Sequence, residues 1–321
     1  MIRPMDDDLL EEDDKEQNIL LIVEDAYDKE RIDKYLTSVL DDMSRSYIQK
    51  LIGDGHVFAG EKAVKSNFRV VSGQSVTLCL PEPKEAKIVP EDIPIDILYE
   101  DADIIVINKH KGLVVHPAPG HESGTLVNAL LYHCKDGLSG INGVLRPGIV
   151  HRIDRDTTGV IVACKNDTAH RDIAAQLKEH SITRKYQAVV YNTFDMDSGR
   201  VEGTIGRHPK DRKKMAVGTK NGKSAATNYR VIENLGGKYA YIECELETGR
   251  THQIRVHMSS IHHPIVGDTV YGPDKDPFHL EGQALHAGVL GFIHPSTKEY
   301  VEFTAPLPDY FTNLITRLRR Q

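Results

Sequence analysis

Four prolines, Pro81, Pro83, Pro90 and Pro94, fall within residues 81–97 with little apolar sequence between them. Proline fixes φ, lacks a backbone donor and keeps the preceding residue out of the helical region. The stretch therefore reads as an extended linker. It separates a small body, residues 18–80, from a large one, residues 98–321. At roughly 150 residues per domain, a chain of 321 residues is about two domains long, and 40% apolar residues suffice to bury a core.

In the small body, residues 18–25 suggest an opening strand. The spacing Ile32, Tyr35, Leu36, Val39, Leu40 predicts a helix over 29–40. A second helix is expected over 45–52, capped by Ser44 and broken by Gly53 and Gly55. Short strands are expected at 56–59, 68–70 and 76–80. The large body mixes strands (104–108, 159–163, 186–191, 239–246, 300–303) with helices (125–132, 168–179, 251–260, 310–319) and has no regular βαβ rhythm. This favours an α+β architecture over a doubly wound one. The sequence contains neither GxGxxG nor GxxxxGK[ST].

The net charge of −7 argues at first sight against nucleic acid. However, residues 1–17 hold eight acids and two bases, a net of −6, which leaves −1 for the rest. A near-neutral body can still carry a basic face, and phosphate responds to the local field. The acidic head is expected to be a disordered tail. No apolar run approaches the ~20 residues of a membrane span, and no secretory signal is expected. Cys79, Cys134, Cys164 and Cys244 lie far apart without a CxxC pair, so they read as reduced thiols of a cytoplasmic protein.

The most informative stretch runs from Gly148 to Gly159 and leads into an apolar strand. Asp154 lies in this turn between Arg152 and Arg155, whose charge would favour its ionised form. It could act as nucleophile or base, or it could simply bond its own turn backbone. His151-Arg152-Ile153-Asp154 with Thr157-Thr158-Gly159 resembles the HRLD-x-x-T-S/T-G signature of RluA/RluD-type pseudouridine synthases. The likeness continues through Arg184-Lys185-Tyr186, the run from Gly249 to His257, Pro264 to Asp268, Leu285-His286-Ala287 and His294-Pro295, and so covers about residues 95–310. Ile153 stands where the family has Leu, a swap of similar volume.

The resemblance implies a catalytic domain with a central mixed, largely antiparallel sheet. It makes Asp154 the catalytic carboxylate. Tyr186 would stack on the target uracil, Arg255 would pair with Asp154, and Arg152 would help fill the gap left by the flipped nucleotide. Taken singly, Tyr186 reads as a core residue and Arg255 as a surface one. The chemistry suits these roles. Uridine isomerisation breaks C1′–N1, turns the ring, joins C5 to C1′ and removes the C5 proton. A carboxylate can act at C1′, an aromatic face keeps its contact while the ring turns, and the nucleotide must leave the stack. The base has the same formula before and after, so no redox cofactor or group donor is needed.

Residues 29–80 resemble an S4 RNA-binding module through Arg31 to Leu36, Ser44-Arg45-Ser46, Leu51-Ile52, Gly55-His56-Val57 and Val64-Lys65, although the usual V-N-G turn reads Phe58-Ala59-Gly60. Arg31, Lys34, Arg45, Lys50 and Lys65 are then candidate phosphate contacts. Composition alone would not single out this nearly charge-balanced segment, and a plain helical adaptor is the other reading. Residues 207–223 hold seven Lys/Arg and one acid and suggest a hairpin-like insertion reaching RNA phosphates through Arg212, Lys213 and Lys214. The expected partner is structured RNA. The RluD-like features imply large-subunit ribosomal RNA, with a monomeric protein favoured.

Other readings fit less well. A DxD phosphatase loop at Asp154 and Asp156 would follow a buried strand and hold Mg²⁺, whereas His151 and Arg152 precede this one. An Asp-Thr-Gly protease motif fails at Thr158. His252, His257, His262 and His263 do not have HExxH spacing and lie among arginines, so no metal site is expected. A non-catalytic RNA-binding protein with a synthase-like fold is the remaining alternative.

Overall fold

The computed structural model describes residues 17–40, 43–80, 88–118, 121–135, 137–141, 143, 146–211 and 214–321. The expected acidic tail lies outside them, apart from Gln17. The chain forms two compact units, Met1–Glu85 and Ala86–Gln321.

The first unit holds β1 (Gln17–Ile22), α1 (Ile32–Val39), α2 (Arg45–Gly53), β2 (Val57–Ala59), β3 (Lys62–Ala63) and β4 (Ser75–Leu80). The strands make an antiparallel sheet in the order β1-β4-β2-β3. Ile32, Tyr35 and Leu36 share one face of α1 and are buried with Ile48, Leu51 and Ile52 of α2 and with Val57, Val76 and Leu78 of the sheet. The Ser44 hydroxyl accepts from the Tyr47 N–H at 3.3 Å and caps α2. The helix expected from residue 29 starts only at Ile32, because Lys29 is left-handed (φ 65°) and donates its N–H to the Val70 carbonyl. Residues 68–70 give a single bridge, Arg31 to Arg69, instead of a strand.

The second unit contains β5 (Asp96–Glu100), β6 (Ile104–Lys109), α3 (Leu126–Cys134), β7 (Thr158–Cys164), α4 (Asp167–Lys178), β8 (Thr183–Tyr191), β9 (Ser198–Arg207), β10 (Met215–Val217), β11 (Lys223–Leu235), β12 (Tyr239–Leu246), α5 (Gln253–Ser260), β13 (Leu285–Ile293), β14 (Tyr300–Thr304) and α6 (Asp309–Leu318). Its sheet runs β10-β9-β11-β12-β8-β13-β7-β6-β5, with β14 also on β13. Every named pair is antiparallel except β13 with β7. This is a mixed, largely antiparallel sheet. Part of the expected linker belongs to this unit. Ile88, Ile95 and Ile97 pack with Ile105, Leu126 and Leu130, and the Asn128 amide donates to the Val89 carbonyl at 2.8 Å.

One junction shapes the centre. β13 runs along β8 on one side. On the other, His286 and Ala287 pair with Thr158 and Gly159 of β7, and from Val289 onward the neighbour is β14. At the parallel contact Gly159 has φ +109°. A Cβ there would clash with the Ala287 carbonyl oxygen and lie 2.7 Å from its carbon. Only glycine lets the two backbones meet.

Candidate active site

Asp154 sits in the loop that feeds β7, its carbonyl accepting from the Thr157 N–H at 3.1 Å. Neighbouring side chains anchor this loop. Ile153 is buried in the main core. His151 accepts the Val162 N–H on Nε2 at 3.1 Å, and burial, with help from Arg184, pushes its ring down to about 4, so it stays neutral. Beneath the loop, Lys109 is fully buried and donates to the carbonyls of His110, Leu113 and Arg155 at 3.0, 2.9 and 2.8 Å. Burial pushes this amine down to about 7, while three carbonyl acceptors match the three protons of the charged form.

Arg255 reaches Asp154 from α5, 101 residues later in the chain, and its Nη1 donates to Oδ2 at 2.8 Å. Its other donors form a fork on Asp268, with Nε to Oδ2 at 2.7 Å and Nη2 to Oδ1 at 2.9 Å. Asp268 Oδ1 also accepts the N–H groups of Val270 and Tyr271. Burial alone would raise the Asp268 carboxyl, but Arg255 and these N–H donors outweigh it and hold it below the usual range. The Tyr271 ring lies 5.2 Å from the Arg255 guanidinium. The guanidinium that bonds Asp154 is therefore that of Arg255, which comes from a distant part of the chain. Arg155 turns to Asp156, with Nε to Oδ1 at 3.0 Å, and Arg152 is exposed at the rim.

The run from Gly249 to Gln253 sets the start of α5. Buried Gln253 accepts from Thr248 Oγ1 and the Arg250 N–H and donates to the Ala226 carbonyl and Thr227 Oγ1. His252, left-handed at φ 56°, places Nε2 3.9 Å from Asp154 Oδ1 and Nδ1 2.9 Å from the Tyr271 hydroxyl. That hydroxyl also accepts the Met215 N–H at 2.8 Å, which ties the His252 ring to the start of β10. Burial lowers the His252 pKa, against the pull of Asp154. Tyr186, on β8, lines the same pocket with Asp154, Arg255 and Leu246. It is 9% exposed, and burial pushes its phenol up to about 12, which keeps it neutral.

In the first unit, Asp33 is fully buried and gathers two of the candidate RNA contacts. Arg31 donates Nε to Oδ1 at 2.9 Å and Nη2 to Oδ2 at 3.1 Å, and Arg45 lies 3.6 Å from Oδ2. Lys34, Lys50 and Lys65 are exposed, as is Arg69, which the sequence reading passed over. Of the basic insertion, β10 forms a hairpin with β9, and Lys214 joins the turn through bonds to Asp211 and His208. Arg212 and Lys213 lie outside the described residues.

The four histidines considered for metal do not converge. His257 is buried on Thr227 Oγ1, and His263 stacks on Phe194 at 3.7 Å. Among the described residues, donor atoms close enough to share an ion occur at Glu100, His133, Cys134 and at Asp101, Asp103, His294, away from Asp154. No described helix is long and apolar enough to cross a membrane. The sequence reading missed Asp268, Tyr271 and Lys109. Asp268 stood inside a quoted motif, and Lys109 is a charge closing an apolar strand, which is a visible signal for a buried, bonded amine.

Comparison with known proteins gives the family. The family described as RNA pseudouridylate synthase matches residues 103–260, which contain Asp154, Tyr186 and Arg255. The RNA pseudouridine synthase YlyB of Bacillus subtilis is 52% identical over 291 residues, 91% of this chain and 95% of that one. The ribosomal large subunit pseudouridine synthase D of Zymomonas mobilis is 46% identical over 288 residues, 87% of this chain and 90% of that one. The solved structure of human RNA pseudouridylate synthase domain containing 1 aligns with a TM-score of 0.54 at 25% identity, over 75% of this chain and 98% of that one. The chain belongs to the RNA pseudouridine synthase family, and it is an enzyme that acts on RNA.

Proposed function

We propose that the enzyme isomerises uridines of large-subunit ribosomal RNA in the cytoplasm, as a monomer, with Asp154 acting at C1′. The observation that carries the chemistry is the Asp154 carboxylate, oriented by an Arg255 that is itself fixed on Asp268, in a pocket walled by Tyr186. The target reading is supported by the likeness to the Zymomonas mobilis protein and by the basic hairpin. The flipped uracil lies against Tyr186, and Arg152 at the rim occupies the space it leaves. Asp154 attacks C1′ or assists departure of the base. The C1′–N1 bond breaks, the ring turns, C5 joins C1′, the C5 proton leaves and N1 takes one up. Mapping pseudouridine across RNA from cells with and without the gene tests the target. Sites in large-subunit ribosomal RNA should disappear, and loss confined to other RNAs would refute it. Tritium release from C5-labelled uridine in RNA separates catalysis from mere binding.

The chemistry neither oxidises nor hydrolyses the base, and the charge at Asp154 is met by a guanidinium. Turnover is therefore expected to survive excess EDTA on an RNA that folds in monovalent salt. Loss of turnover on such an RNA would refute a metal-free mechanism.

We read the first unit as an S4-like RNA-binding module, supported by two helices on an antiparallel sheet and by Arg31 and Arg45 held on buried Asp33. Deleting residues 1–80 should leave the second unit folded on its own core with single-turnover chemistry little changed. It should weaken capture of large RNA and flatten the log affinity–log salt slope by roughly 0.7–0.9 for each phosphate that the module neutralises. Equal slopes for the full-length and shortened proteins would mean the module does not touch phosphate.

A further inference from the structure

Beside the Asp154 pocket runs a second cavity of about 340 Å³. The two share Arg152, Tyr186, Leu246 and Arg250, so they form one continuous groove. Arg152, Arg184, Arg250, His151 and His180 line the second part, and no carboxylate does. Among the described residues, no acid pairs with any of the three arginines.

Arg184 is the unusual member. It is only 7% exposed, yet its Nε is buried without a hydrogen-bond partner, and Nη2 has only the Glu247 carbonyl at 3.5 Å. Its Nη1 packs against Gly249, where a Cβ would come within 2.6 Å of it. Burial pushes its pKa down, and nearby Arg250 adds to the push. A buried cation is normally matched by an anion, because an uncompensated one destabilises the fold. Here the protein supplies none, and Tyr186 stands two residues further along the same face of β8. Two residues of strand span about 7 Å, so a nucleotide whose base rests on Tyr186 brings its own backbone within reach of Arg184.

We propose that Arg184, with Arg250 and Arg152 at its edges, binds a phosphodiester of the substrate strand adjoining the flipped uridine. This rests on the pseudouridine synthase reading of the groove. The RNA phosphate completes a charge that the free protein leaves unmatched, and Arg184 fixes the register of the strand so that C1′ meets Asp154.

The test compares full-length wild type, Arg184→Met and Arg184→Lys on two probes. The first probe is RNA from cells lacking the gene, labelled with C5-tritiated uridine, with tritium release followed across a salt series. Arg184→Met should lower kcat/KM at least about tenfold and flatten its log–log salt dependence by roughly 0.7–0.9. Arg184→Lys should keep the wild-type slope and an intermediate rate. The second probe is inorganic sulfate. Sulfate should raise the Tm of the wild type but not of Arg184→Met, and without sulfate Arg184→Met should melt no lower than the wild type. An unchanged salt slope, an equal sulfate response, or a lower Tm for Arg184→Met would make Arg184 a structural cation and overturn the proposal. If the wild type released no tritium from this RNA, the isomerase reading would fail on its own, and the sulfate arm would still judge the anion site.

Discussion

Asp154→Asn is expected to bind RNA with near wild-type affinity and to show turnover reduced by about 10⁴-fold or more. Asparagine keeps the size and shape of the side chain and can still accept from Arg255 Nη1, but it removes the carboxylate that the proposed chemistry needs at C1′. The pocket should survive the change, because Arg255 keeps its fork on Asp268 and that carboxylate keeps its two backbone donors. The loop is also held from below by Lys109 and from the side by His151. A melting curve close to wild type, together with abolished tritium release, is the combination expected. Asp156→Asn is the control. Its partner is the exposed Arg155 in a surface ion pair worth about 0–1 kcal/mol, so its rate should change only slightly. Turnover of Asp154→Asn within tenfold of wild type would remove Asp154 from the chemistry.

Gly159→Ala should cause the largest loss of stability from a single methyl group. The new Cβ would meet the Ala287 backbone, which cannot rotate away as a side chain could, and φ +109° is strained for any L residue. Overpacking of about 1–3 kcal/mol and backbone strain of similar size together suggest roughly 4 kcal/mol. For a unit of this size that lowers Tm by on the order of 10 °C. Activity should fall further than stability explains, because the methyl wedges β7 away from β13, close to where the chain leaves the Asp154 loop. A thermal melt and single-turnover rates below the new transition would measure both effects. An unchanged Tm would mean the two backbones are further apart than the structure has them.

How much of this could be read in advance depended on whether the signal was local. The helices were legible because Ile32, Tyr35 and Leu36, or Phe311, Leu314 and Ile315, repeat at helical spacing along one buried stripe. The buried strand at β7 was legible as a plain apolar run. β9, β11 and β13 were not, for compositional reasons. β9 carries Gly199, Gly203 and Gly206, and β11 opens on the small and polar run Lys223-Ser224-Ala225-Ala226-Thr227-Asn228. Glycine and small or polar residues weaken a strand signature. At the site, family resemblance pointed to Asp154, Tyr186 and Arg255, but nothing local pairs Arg255 with Asp268, or Lys109 with the Arg155 carbonyl. Those contacts are made by the order of strands in the sheet, which periodicity does not encode. The same distance effect hid the partner of Asp154. Arg152 and Arg155 are neighbours in sequence, yet the cation that reaches Asp154 comes from α5.

The position of β13 also dictates the order in which the enzyme can become active as it leaves the ribosome. β7 and β8 follow each other in sequence but are not partners, because β13 lies between them. Until residues 285–293 emerge, the sheet exists as two halves, β5-β6-β7 carrying the Asp154 loop and β8 through β12 carrying Tyr186 with Arg255 just beyond. From Cys164 to Leu285 is 121 residues, about 6–24 s of synthesis at ~5–20 residues per second. Throughout that interval the edge of β7, and from Tyr191 onward that of β8 as well, awaits a strand not yet made, an opening suited to a chaperone and hazardous in its absence. A nascent chain therefore carries all three site residues before it can hold them together.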